Sequence, residues 1–239
     1  MEKFKKILIT GGSGLLGTYL CKLHPEVIAP PREELDILDA RAVETALDKY
    51  KPDVVIHCAA FTSPPKVNEK PIEAMRVNIV GTANIVRAAS ERNIRLVYIS
   101  TDYVFRGDKG NYKEEDELCP QNYYAWSKLG GECAVRAYKN SLIIRTSFSP
   151  DVFPYEKAFV DQFTSRDALS VIAPMLFDLA MRDDVTGVIH VGTDRKSVKE
   201  LALKLGKKDV QDLFLKDVTF NPPADTSFDL SKLHNILRP

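Results

Sequence analysis

Thr10-Gly11-Gly12-Ser13-Gly14-Leu15-Leu16-Gly17 follows the apolar run Ile7-Leu8-Ile9 and opens an amphipathic stretch, so it sits at the first strand-to-helix junction of the chain. Gly11, Gly14 and Gly17 form G-x-x-G-x-x-G. The first glycine allows a tight turn, the second lets a pyrophosphate approach the backbone, and the third lets the helix pack close on a sheet. The helix start adds free N–H groups and a partial positive charge that suit a phosphate. A glycine triplet alone is weak evidence, but this one has the context that dinucleotide binding requires.

Outward from that turn, short apolar runs alternate with longer amphipathic stretches. Strands are expected at 7–10, 26–29, 53–57, 95–100 and 141–145, and helices at 14–22, 40–50, 73–91 and 123–138. Fully apolar strands alternating with helices predict a parallel sheet covered on both faces. Right-handed crossovers then give an α/β fold with a doubly wound, Rossmann-type sheet. After Arg145 the pattern weakens. Residues 147–167 read as loops, 169–182 as a helix interrupted near Pro174, and 187–191 as the last sheet strand. Ser197 and Glu200 form a capping box for a helix to about 205, and 230–237 is a short apolar tail segment. The expected organisation is a dinucleotide-binding core over 1–148 and a reduced substrate lobe over 149–239, interleaved with the strand at 187–191.

The chain has 239 residues, 33 basic and 33 acidic, with 44% hydrophobic residues. Zero net charge gives no electrostatic reason to expect nucleic acid or a membrane surface. No apolar run reaches the length of a membrane span. The basic opening Met1-Glu2-Lys3-Phe4-Lys5-Lys6 leads into too short an apolar run for a signal peptide. Cys21, Cys58, Cys119 and Cys133 are scattered with no C-x-x-C pair, which argues against a zinc ribbon or disulfide scaffold. A cytoplasmic place is the default, and Cys119 and Cys133 are expected to be buried and inert. No histidine spacing suggests a metal pair. His57 reads as structural, and Glu114-Glu115-Asp116-Glu117 as a solvated loop face.

Tyr124-Ala125-Trp126-Ser127-Lys128 is Y-x-x-x-K on a predicted helix, which puts phenol and ammonium one turn apart on one face. Attraction to Lys128 and to a nicotinamide cation would lower the tyrosine pKa and ready it for proton transfer. A hydroxyl at the end of the fourth strand, Ser100 or Thr101, could hydrogen-bond a substrate carbonyl. No acid stands at the end of the expected second strand to hold a ribose hydroxyl of NAD. Arg32 there suits the 2′-phosphate of NADP or is a solvated surface residue, and Asp36 either contacts the adenine end or begins the next helix.

These stretches resemble an extended short-chain dehydrogenase/reductase and, within it, the dTDP-4-dehydrorhamnose reductase family. They continue through Leu35 to Asp39, His57 to Thr62, Val77 to Thr82, Ser100 to Gly107, Gly131-Glu132 and Arg145-Thr146-Ser147. The resemblance covers most of 5–148, and Thr101-Asp102-Tyr103-Val104-Phe105 is its specific part. Sugar-nucleotide dehydratases carry an Asp-Glu pair here, whereas Tyr103 follows Asp102, which disfavours dehydration. The resemblance implies Thr101, Tyr124 and Lys128 as the catalytic triad. It also implies that Ala59, Ala60, Thr62 and Asn78 line the cofactor, which completes an expected cofactor site of Gly11, Ser13, Gly14, Leu15, Leu16, Gly17, Arg32 and Asp36 with Tyr124 and Lys128; no metal is expected.

The expected function is NADP(H)-dependent reduction of a nucleotide-linked 4-keto-6-deoxy sugar, with NAD(H) the alternative cofactor and a homodimer left open. Two departures lie in the later half. Phe148 replaces a tryptophan and only 149–159 precede Val160-Asp161-Gln162, and Asn221-Pro222 stands where the family has Arg-Pro. They keep two alternatives open: a non-catalytic, cofactor-binding regulatory subunit, and an epimerase that holds NAD tightly.

Overall fold

The computed structural model describes residues 5–62, 64–219 and 222–238. Its elements run β1 (Ile7–Thr10), α1 (Leu15–Leu23), α2 (Ala40–Tyr50), β2 (Val54–His57), α3 (Pro64–Glu69), α4 (Pro71–Met75), a π-helical segment (Arg76–Gly81), α5 (Thr82–Glu91), β3 (Arg95–Thr101), α6 (Tyr123–Arg136) and β4 (Ser141–Thr146). There follow β5 (Phe148–Ser149), β6 (Lys157–Phe159), β7 (Phe163–Thr164), β8 (Asp167–Ala168), α7 (Leu169–Met181), β9 (Gly187–Val191), β10 (Lys196–Ser197), α8 (Val198–Lys204), β11 (Gln211–Leu213) and α9 (Ser231–Leu237).

The main sheet has the order β1-β2-β3-β4-β9, as the Rossmann-type reading expects. β1 runs parallel to β2 with Ile7 opposite Val54, and β2 parallel to β3 with Val54 opposite Arg95. β1 to β4 are buried along their whole length, which is why they read as unbroken apolar runs. The strand expected at 26–29 is not one. Ile28 makes a single parallel bridge to Leu8, through bonds of 2.8 Å from Ile9 N–H and 2.9 Å to Ile7 C=O. Pro25 and Pro30-Pro31 flank it, and prolines cannot donate to a ladder.

The chain forms two compact units. The first comprises Met1–Ser100, Asn122–Ile144 and Leu176–Val188. Its core joins Leu8, Val55, Leu96 and Ile143 of the sheet to Val43, Ala46 and Leu47 of α2 and Ile85, Ala88 and Ala89 of α5. Local chemistry fixes the helix starts. The Asp39 carboxylate accepts from Arg41 and Ala42 N–H before α2, and Asn122 Oδ1 accepts from Ala125 N–H at 2.8 Å before α6. The helix expected over 73–91 begins earlier, at Pro71, whose missing N–H costs nothing in a first turn. It winds into a π turn over Arg76–Gly81.

The second unit comprises Thr101–Gln121, Arg145–Met175 and Ile189–Pro239. Here 147–167 holds short strands instead of the expected loops. β5 pairs parallel with β8, β6 parallel with β11, and β7 antiparallel with β10. Strands of two or three residues are too short to show periodicity in the sequence. The capping box at Ser197 and Glu200 forms as expected. α7 is unbroken although Pro174 lies inside it. The buried neighbours Ile172, Ala173, Leu176 and Leu179 offset the hydrogen bond that proline cannot make. Glu114 is not a solvated residue: its carboxylate accepts from His190 N–H at 3.0 Å and its carbonyl from the buried Arg145 at 3.0 Å. Cys119 is half-buried and Cys133 exposed, contrary to expectation. Met1 to Phe4 and the Asn221 of the departure from Arg-Pro lie outside the described residues.

Candidate active site

In the first unit the glycine turn has the geometry its sequence requires. Gly11 takes φ +72°, a conformation L side chains avoid, and a Cβ there would lie 2.6 Å from Ala59 N. Gly14 N–H donates to Gly11 C=O at 3.0 Å, which closes the turn. Gly17 tucks beneath it: a Cβ would lie 2.2 Å from Gly11 O and 2.8 Å from Gly12 Cα. These are backbone atoms and cannot yield. Gly17→Ala is therefore expected to cost about 1–3 kcal/mol by overpacking and to weaken NADPH binding at least about tenfold, as fluorescence titration and urea unfolding would read.

Ser13, Gly14 and Leu15 are exposed, and Leu16 is buried. No side chain caps α1, and no acidic residue stands in its first turn. An exposed, uncapped helix start with a glycine and no acid in its own first turn fits a dinucleotide pyrophosphate. Further along the chain Arg32 Nε lies 3.3 Å from Asp36 Oδ2, and both side chains are accessible. Asp36 also accepts from Leu38 N–H at 2.9 Å. The loop that follows β2 contains Ala59, Ala60 and Thr62, with Thr62 exposed.

Asn78 sits in the π turn, and its side chain joins that loop to the Y-x-x-x-K helix. Its Oδ1 accepts from Phe61 N–H at 2.7 Å, and its Nδ2 donates to Phe61 C=O at 3.0 Å and to Ser127 Oγ at 2.8 Å. Ser127 in turn donates to Tyr124 C=O at 2.7 Å. A wider helical turn at such a place is a common feature of functional sites. His57 is held between two hydroxyls, Thr10 Oγ1 at 2.6 Å and Thr82 Oγ1 at 3.1 Å. Thr82 donates its own proton to Asn78 C=O, so its oxygen accepts from His57 Nε2–H, and Nδ1 accepts from Thr10. Burial lowers the His57 pKa to about 3, with the nearby Lys128 charge a smaller cause. It is a neutral strut.

Tyr124 and Lys128 are one turn apart on α6, with Tyr124 half-buried and Lys128 only 4% exposed. The Lys128 ammonium lies 4.1 Å from the centre of the Tyr98 ring. Tyr98 donates to Lys128 C=O at 3.0 Å, pinning the turn that carries both groups. Burial lowers the Lys128 pKa from 10.5 to about 7, against the opposing fields of Cys58 and Glu132. Burial also raises the Cys58 thiol to about 12, so it is no nucleophile. Glu132, fully buried one turn beyond Lys128, accepts from Ser100 Oγ at 2.9 Å and from Arg136 at 2.9 Å. Of the two hydroxyls the sequence offered, Ser100 is therefore committed to a carboxylate.

In the second unit Thr101 ends β3 and is buried. Its Oγ1 donates to Asp102 Oδ1 at 3.1 Å and accepts from Tyr103 N–H at 3.3 Å. Asp102 Oδ2 accepts from Thr226 Oγ1 at 2.7 Å. Burial raises the Asp102 carboxyl above its ordinary range, opposed by the charge of Arg166 and by the two threonine bonds. Sequence reasoning missed Arg166. It is one of two basic residues, with Lys157, in a stretch read as loops, and only the fold brings it beside Tyr103.

Comparison with known proteins agrees with this arrangement. The family model described as RmlD substrate binding domain matches residues 5–176. The chain is 34% identical over 193 residues to dTDP-4-dehydrorhamnose reductase of Aggregatibacter actinomycetemcomitans, covering 77% of this chain and 66% of that protein. It is 34% identical over 142 residues to methionine adenosyltransferase 2 subunit beta of Pongo abelii, covering 55% of this chain and 42% of that protein. Among solved structures, dTDP-4-dehydrorhamnose reductase of Bacillus anthracis str. Ames, in complex with NADP, superposes with a TM-score of 0.87 at 27% identity, covering 100% of this chain and 94% of that one. The aligned part thus spans two thirds or less of the curated relatives' length. With the glycine turn, the Tyr124–Lys128 pair and the Thr101 segment all inside the matched residues, the chain belongs to the RmlD substrate binding domain family.

Proposed function

We propose that this protein is an NADP(H)-dependent reductase of a nucleotide-linked 4-keto-6-deoxy sugar, the kind of substrate that names dTDP-4-dehydrorhamnose reductases. The observation that carries this reading is the pinned Tyr124–Lys128 turn in the same compact unit as an open, uncapped glycine turn. Residues 1–148 serve mainly as the dinucleotide-binding part, and 149–239, with 101–121, as the substrate part. Gly11, Ser13, Gly14, Leu15, Leu16 and Gly17 hold the pyrophosphate. Arg32 and Asp36 meet the adenosine ribose, where Arg32 favours NADPH over NADH. Ala59, Ala60, Thr62 and Asn78 line the nicotinamide side. The bound dinucleotide supplies the hydride. Thr101 Oγ1 hydrogen-bonds the substrate carbonyl as negative charge develops on it. Tyr124 gives its phenolic proton to the resulting alkoxide, and the Lys128 ammonium favours the phenolate left behind.

The reading includes a cytoplasmic, homodimeric protein. Its four cysteines are free, and α4 to α6 expose Ile72, Met75, Tyr123 and Trp126, an apolar set that a second copy would cover.

Following NADPH absorbance with dTDP-4-dehydrorhamnose tests the proposal. One NADPH consumed per sugar is the expected result. NADPH binding seen by fluorescence without oxidation would overturn it in favour of a regulatory subunit, the reading favoured by the match to methionine adenosyltransferase 2 subunit beta.

A further inference from the structure

Lys128 and Glu132 stand one turn apart on α6, and both are buried, at 4% and 0% exposure. Residues four apart on a helix share a face. Both side chains meet the same face of β3. The Lys128 ammonium lies over the Tyr98 ring, and Glu132 Oε2 accepts at 2.9 Å from Ser100 Oγ, two residues further along the strand. Glu132 Oε1 accepts at 2.9 Å from the half-exposed Arg136. A carboxylate that accepts from a hydroxyl and a guanidinium has the bonds of the ionised form.

The other groups around Lys128 bring no second anion. At the end of β2, burial lowers His57 to about 3 and raises Cys58 to about 12, so imidazole and thiol are both neutral at pH 7. On β3, burial holds the Tyr98 phenol well above its ordinary range. Tyr124, one turn back on α6, is the phenol of the proposed chemistry. The remaining elements packed on α6 keep their charges exposed: Lys66 and Glu69 on α3, Glu73 on α4, Arg76 in the π turn, and Arg87 and Glu91 on α5. Water and salt screen those charges. A protonated thiol exerts no ionic field, which leaves the Glu132 carboxylate to oppose the burial of Lys128.

We propose that Glu132 is the counter-ion of Lys128, a positioning residue that keeps the ammonium charged beside Tyr124 and acts on the reaction only through it. An ammonium buried without an anion gives up its proton. The phenolate left on Tyr124 would then have no cation beside it. The inference rests on the reading under Proposed function for what the ammonium does, and adds the residue that keeps it charged.

The test reads Lys128 directly, with no substrate. NMR titration of the cofactor-free full chain carrying isotopically labelled lysine, with the Lys128 signal identified by its loss in Lys128→Met, is expected to give a midpoint of about 7 in the unaltered protein. Glu132→Gln keeps the size of the side chain and an acceptor for Ser100 but removes the charge. Its Lys128 midpoint should fall by at least about one pH unit, and Glu132→Asp should restore at least half of that fall. In turnover, the alkaline limb of the kcat profile should move to lower pH by the same amount in Glu132→Gln. A Glu132→Gln midpoint within about 0.3 pH unit of the unaltered protein would overturn the proposal. If Glu132→Gln alone does not fold, its combination with Lys128→Met decides. That double variant should fold, because both members of the pair are gone, and its failure would make Glu132 a purely structural residue. A chain whose Lys128 midpoint falls in Glu132→Gln, yet which oxidises no NADPH with the sugar, sinks the reductase reading and leaves the Glu132 assignment standing.

Discussion

Tyr124→Phe lowers kcat by about 10²–10⁴-fold, the range that loss of a general acid costs, while the dissociation constant for NADPH stays within about twofold. The substitution removes one oxygen from a half-buried ring on a helix fixed by Asn122, Ser127 and Tyr98. The glycine turn and the Asn78 links do not involve that oxygen, so the part of the cofactor surface they form is untouched. Stopped-flow NADPH oxidation and a fluorescence titration separate the two quantities. A variant that keeps full turnover would remove Tyr124 from the proposed mechanism. One that loses NADPH affinity with its turnover would make the hydroxyl a binding group.

Lys128→Met gives the second large effect, and it separates stability from activity. Burial lowers the Lys128 pKa to about 7 in the folded chain, while the unfolded chain keeps a proton there up to about 10.5. Between those values the unfolded state binds the extra proton, so stability rises with pH across that window. Below about pH 7 both states are protonated, and the fold carries the whole cost of a buried ammonium. Methionine removes that cost. Without cofactor, the variant is therefore expected to be more stable at pH 6, by up to about 5 kcal/mol at about 1.4 kcal/mol per pKa unit. The gain should shrink above pH 7 and vanish near 10.5. Urea midpoints at pH 6, 8 and 9.5 would show the trend, and a variant less stable at every pH would refute it. The same variant should be inactive, since nothing then favours the Tyr124 phenolate. A group that destabilises the fold and is retained is what a stability–activity trade-off predicts.

Much of the first unit was legible because its signals are local. Four-residue strands with every side chain buried leave unbroken apolar runs, and Asp39 and Asn122 announce helix starts through their own side chains. Gly11 and Gly17 are legible because a side chain at either would collide with backbone, so the turn is written into the glycine spacing. The segment 26–29 misled because an apolar run reads as a strand whether it pairs along its length or, as here, at Ile28 alone. Pro174 misled in the opposite way, since the burial that keeps α7 whole comes from distant residues.

The sequence by itself determined the parallel sheet, the glycine turn and the Tyr124–Lys128 pair, because each depends on spacing within a few residues. Tertiary structure alone decided that Ser100 is tied to Glu132, that Thr226 holds Asp102, and that Arg166 lies beside Tyr103. Hydrogen bonds and charges act through space. Partners as far apart as 124 residues in the chain, as Asp102 and Thr226 are, meet only once the strands between them have paired.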